Sequence, residues 1–66
     1  MHPAQVCTQW VNEKQVSALT GISLSTLRKY RLWGKGPAYS KVGRSVRYAL
    51  ADVQEYMESH RVAPRR

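Results

Sequence analysis

At 66 residues the chain has room for one domain, close to the smallest core that holds without staples, and its single cysteine, Cys7, excludes an internal disulfide or a cysteine-rich zinc framework. No apolar run is long enough for a membrane span or a secretory signal, so a soluble cytoplasmic protein is expected. The formal net charge of +7 points to an anionic partner.

The charge is segregated. Acids stand at Glu13 near the start and at Asp52, Glu55 and Glu58 near the end. The window between Glu13 and Asp52 holds Lys14, Arg28, Lys29, Arg31, Lys35, Lys41, Arg44 and Arg47 and no acid. Such a window predicts one positive face rather than a generally basic surface kept for solubility. An anionic membrane would call for a long basic amphipathic helix, which the pattern lacks.

Residues 1–9 show no periodicity and contain an early proline, which predicts a flexible lead-in. His2 and Cys7 have no clustered partner there, so no metal site is expected. Structure begins at Trp10-Val11. Asn12 can cap a helix and Gln15 can reach back to it, while Val11 and Val16 occupy the positions of a hydrophobic staple. Glu13 suits the positive end of that helix. The helix runs through Val16 and Leu19 and stops at Gly21, which can take the left-handed conformation. Small Ser17 and Ala18 leave room for a second helix to cross.

The signals then repeat. Ser23 can cap a second helix, stapled by Ile22 and Leu27. Two capped helices joined around a glycine form a helix-turn-helix. On the second helix Leu27 and Tyr30, with Leu24 and either Trp33 or Leu32, can face inward, leaving Ser25, Thr26, Arg28, Lys29 and Arg31 outward or flanking. Gly34-Lys35-Gly36-Pro37 forces a change of direction.

Tyr39 to Tyr48 alternates with period two around Gly43, which predicts a β-hairpin. A two-residue Gly43-Arg44 loop suits a type II′ turn but sets Lys41 on the face of Val46 and Tyr48. A three-residue loop, Gly43 to Ser45, gathers Ser40, Val42, Val46 and Tyr48 on one face. Burial of one face normally decides register, so the three-residue loop is expected. Either way Lys41, Arg44 and Arg47 reach solvent or the tip. A last helix is expected from Leu50 to Arg61, with Leu50, Val53, Tyr56, Met57 and His60 inward. Residues 62–66 then form a flexible basic tail, so the domain spans 10–61.

Helix, turn, helix, hairpin, helix is the order of a small winged helix-turn-helix, an α+β and mainly helical fold. A B-DNA major groove admits one helix, so the second helix is the candidate reader and the hairpin a wing for an adjacent groove or the backbone. The candidate contacts are Ser23, Ser25, Thr26, Arg28, Lys29 and Tyr30 on the helix, and Lys35, Lys41, Arg44, Ser45 and Arg47 on the turn and wing. Hydroxyls at a helix start can meet phosphates or base edges, and arginine can pair with guanine or phosphate. The aromatic residues Trp10, Trp33, Tyr30, Tyr48 and Tyr56 are expected mostly in the core, in place of the phenylalanine that the chain lacks. No acids or histidines are arranged for catalysis, and no cofactor is implied.

The run WVNEKQVSALTGISLSTLRKYRLWGKGP resembles the first half of the small winged helix-turn-helix domains of the AlpA and phage-excisionase group, relatives of the MerR-type DNA-binding head. SKVGRSVRY and LADVQEYME resemble their wing and closing helix. The STLRKY piece is similar to a MerR motif that implies backbone contacts at Thr26, Arg28 and Tyr30. Ser17 stands where alanine is usual, and Ala49-Leu50-Ala51 lacks the usual cap and charge. The resemblance implies a mobile-element protein binding double-stranded DNA, as a transcriptional regulator or as an excisionase. RNA polymerase or an integrase would be the protein partner, and the chain would bind as a monomer with cooperation along adjacent sites. A basic adaptor for RNA or for an acidic protein is the alternative of a different class.

Overall fold

The computed structural model describes residues 9–64. The expectations for His2, Cys7 and most of the flexible lead-in fall outside the described residues, as do Arg65 and Arg66. The order is β1 (Trp10–Val11), α1 (Glu13–Thr20), α2 (Leu24–Trp33), β2 (Ser40–Val42), β3 (Ser45–Ala49) and α3 (Leu50–Ser59). The strands form one antiparallel sheet in the order β1-β3-β2. The winged helix-turn-helix expected from the sequence is present, with β1 as an added edge strand.

Local chemistry accounts for the first two helices. Asn12 accepts the Gln15 N–H, and its own N–H donates to the Gln15 side chain, both at 2.8 Å. That reciprocal pair satisfies two donors that a helix start otherwise leaves free. Gly21, at φ 79°, ends α1 by donating its N–H to the Ser17 carbonyl. Ser23 caps α2 by accepting the Thr26 N–H. Only α3 starts without a side-chain cap. Its first N–H, from Leu50, donates instead to the Gln9 carbonyl at 2.8 Å, so the chain beside β1 does the work of a cap.

Nearly every element supplies one residue to the core, which consists of Val11, Val16, Leu27, Tyr48 and Val53, with Ile22 and Val46 packed against it. Both expected staples are therefore closed. The stripe is narrower than the pattern suggested. Leu19, Leu32, Trp10 and Trp33 are exposed, Met57 is 39% exposed, and Ala18 faces solvent while Ser17 is half-buried. A core this small is filled by one side chain per turn, and the remaining apolar residues are left outside it. His60 is likewise exposed and stacks on Tyr56, with ring centroids 4.2 Å apart. The last helix ends at Ser59 rather than Arg61. His60 and Arg61 donate their N–H groups three residues back, to Met57 and Glu58, which tightens the final turn and closes the helix.

The hairpin register is the clearest correction. Val42 pairs with Ser45, Lys41 with Val46 and Ser40 with Arg47, so the loop is the two-residue Gly43-Arg44 and not the three-residue alternative. Gly43 is at φ 62° and Arg44 is not left-handed, as a type II′ turn requires. Burial could not enforce the other register, because all of β2 is exposed and Val42 is 74% exposed. With no buried face to satisfy, turn geometry decides.

Candidate nucleic-acid interface

The start of α2 presents a cluster of hydroxyls. Ser23 donates to Thr26 Oγ1 at 2.9 Å and lies 3.3 Å from Ser25 Oγ. Ser23 and Ser25 are exposed and Thr26 is half-buried, so two of the three hydroxyls remain open to a ligand at the positive end of a ten-residue helix.

One turn further on, Arg28 meets Glu13 of α1. Its Nη2 lies 2.7 Å from Oε2 and its Nε donates to Oε1 at 3.3 Å. Arg31 donates to the same carboxylate at 3.2 Å through Nη2 and to the Tyr48 hydroxyl at 2.9 Å through Nη1. Its guanidinium also lies over the Tyr39 ring, 5.7 Å from the centroid. Arg31 thus ties α2 to α1 and to the wing base, and gives the fully buried Tyr48 a partner for its hydroxyl. The hydrogen bond from Arg28 is the main reason that the Glu13 carboxyl is held below its ordinary pKa, with the Arg28 charge and then Arg31 adding to it against partial burial. For Arg31, partial burial works against the charge, but Tyr48 and Glu13 outweigh it and raise its pKa.

Beside this cluster runs an open groove of about 410 Å³ between the start of α1 and the wing, lined by Asn12, Glu13, Lys14, Arg31, Arg44, Ser45, Val46 and Arg47. It brings three of the expected wing residues, Arg44, Ser45 and Arg47, to the wall that Glu13 and Arg31 share. Lys29, Arg44 and Arg47 are exposed and take part in no ion pair among the described residues. None of the expected contacts on α2 lines this groove, and of those on the turn and wing Lys35 and Lys41 stand apart from it. Lys35 lies beyond the far end of α2, over the Trp33 ring at 5.8 Å, and Lys41 is exposed on β2 opposite Val46. Tyr30 is half-buried, its side chain against Gly36, where an added Cβ would come within 3.1 Å of the Tyr30 Cβ and 3.2 Å of the ring.

Sequence reasoning missed Glu13 as the acceptor for two arginines and Lys14 as a groove residue. No local spacing could have paired Glu13 with residues 15 and 18 positions later. The available signal was weaker, since Glu13 is the acid that borders the basic window.

A family model described as a helix-turn-helix domain matches residues 10–61. No curated protein gives a significant match.

Proposed function

The chain belongs to the helix-turn-helix domain family, of the AlpA and excisionase type, and on that footing we propose how it holds double-stranded DNA. In this reading α2 enters the major groove with Ser23, Ser25, Thr26, Arg28, Lys29 and Tyr30 as its contacts. The wing, through Arg44, Ser45 and Arg47, reaches an adjacent groove or the backbone, and Lys35 and Lys41 add charge at the margins. The observation that carries it is the link from α2 to the wing: Arg28 and Arg31 of α2 share the Glu13 carboxylate, and Glu13 and Arg31 line one groove with Arg44, Ser45 and Arg47 of the wing.

The likeness of STLRKY to the MerR backbone-contact motif supports phosphate contacts at Thr26, Arg28 and Tyr30. The family type supports a mobile-element role, as a regulator that meets RNA polymerase or an excisionase that steers an integrase, with the protein binding as a monomer. The two roles differ in what they do to DNA, and an excisionase must bend it. A fluorescence-transfer measurement on end-labelled duplex therefore separates them.

Selection from a random duplex pool tests the binding mode itself. The wild-type chain should enrich one motif. Arg28→Ala should then cost about ten- to hundredfold in affinity and relax preference at one position if Arg28 reads a base. A uniform loss across sequences would assign Arg28 to phosphate. Failure to enrich any duplex, with tight binding to single-stranded RNA or an acidic protein, would overturn the reading in favour of an adaptor.

A further inference from the structure

Glu13 is the acid that lines the basic groove, and it holds Arg28 by two contacts while Arg28 remains 57% exposed. The other acids belong to α3, where Asp52 and Glu55 line a separate cleft against Gly36, Pro37 and Ala38. A carboxylate that engages a guanidinium through two oxygens offers the geometry a phosphate would offer. From this juxtaposition we infer that Glu13 is a specificity-determining positioning residue, an internal stand-in for phosphate that keeps Arg28 from gripping DNA of arbitrary sequence. The inference rests on the duplex-binding reading above with Arg28 on a base edge, and a uniform loss across sequences in Arg28→Ala, which assigns Arg28 to phosphate, would overturn the inference while leaving that reading in place.

Glu13, phosphates and base edges compete for Arg28. A backbone phosphate must displace Glu13 from Arg28, recovers no more than the two contacts it breaks, and brings a second negative charge beside Glu13. A base edge placed by α2 offers two acceptors without a charge, so it meets no repulsion from Glu13. The pair therefore lowers affinity for all sequences but lowers it most where phosphate is all that Arg28 can find. Arg31 keeps Glu13 in place during the exchange, because it shares only Oε1 with Arg28 and is itself held by the Tyr48 hydroxyl.

Two duplexes provide the test, one enriched by the wild-type protein from a random pool and one a scramble of equal length and composition. Binding of the wild type to neither would overturn the duplex-binding reading and this inference with it. Given wild-type binding, Glu13→Gln should bind the scrambled duplex about two- to fivefold tighter, the range of one exposed ion pair. Its log affinity against log salt should steepen by about 0.9, one added phosphate contact. The selected duplex should gain less, so the ratio between the two narrows. Glu58→Gln makes the same change in net charge at a pair with Arg61 on α3 and should alter neither slope nor ratio. An equal effect from Glu58→Gln, or an unchanged slope in Glu13→Gln, would overturn the assignment. Wild-type protein gives an independent measurement should the Glu13 variant fold poorly. The Arg28 Nε–H resonance should hold its free-state position on the scrambled duplex and move on the selected one, and equal movement on both would contradict the proposal.

Discussion

Glu13 illustrates how one side chain links the stability of the helix pair to the surface it presents. It joins Arg28 and Arg31 of α2 to α1, and Arg31 continues to the buried Tyr48. Because its folded-state pKa is depressed, the stabilisation is complete above the unfolded carboxylate value and is lost as pH falls through the depressed one. The stability gap between wild type and Glu13→Gln in urea should be constant from about pH 7 to about pH 5 and close in stronger acid. A gap that persists at the acid end would mean that the ion pair is not its source. Tyr48→Phe should cost about 1–2 kcal/mol, since it strips a hydroxyl from a charged donor at a buried site. Leu27→Ala should cost about 2–5 kcal/mol, measured by thermal or urea denaturation. For a chain of this length, total stability at about 0.05–0.15 kcal/mol per residue is roughly 3–10 kcal/mol, so that loss is a large fraction of it and the melting temperature should fall sharply. Caps and staples were legible residue by residue because each is a local spacing of three to five positions. The Glu13 contacts were not, because they depend on how two helices cross.

The elements differ in how firmly each is specified. Both helices of the turn have a side-chain cap at one end and a left-handed glycine at the other, so their limits were readable from the sequence. Ser23→Ala should destabilise by about 0.5–2 kcal/mol, and it also removes a hydroxyl from the proposed contact surface. The hairpin was read as an element but in the wrong register. Patterning ranks registers by the face they bury, and β2 buries neither face. What remains is the turn, with Gly43 held at φ 62° in open space. Gly43→Ala should therefore cost about 1–2 kcal/mol through backbone strain alone, and amide exchange should show the loss concentrated in β2 and β3. Equal protection in the variant would mean that the wing holds its shape by other means. The closing helix ends about two residues short of its expected limit near Arg61 for a related reason. No residue there takes a left-handed cap, and the final N–H groups turn inward early.

At the scale of the whole molecule, the sequence carried the fold class and the segregation of charge, and structure added how that charge is arranged. Glu13 and Arg31 line one groove with Arg44, Ser45 and Arg47 of the wing, so the wing's basic residues share a wall with the ion pair that joins α1 to α2. Of the eight basic residues between Glu13 and Asp52, Lys14, Arg31, Arg44 and Arg47 line the groove and Arg28, Lys29, Lys35 and Lys41 do not, so a place in the basic window did not decide a place in the groove. Helix and wing acting together should neutralise about five to seven phosphates. The direct test is the salt dependence of binding to a duplex, followed by fluorescence anisotropy beside the corresponding single strand. Log affinity should fall against log salt with a slope of roughly −4 to −6 on the duplex, and the duplex should be preferred. A slope near zero, or equal affinity for the single strand, would contradict this.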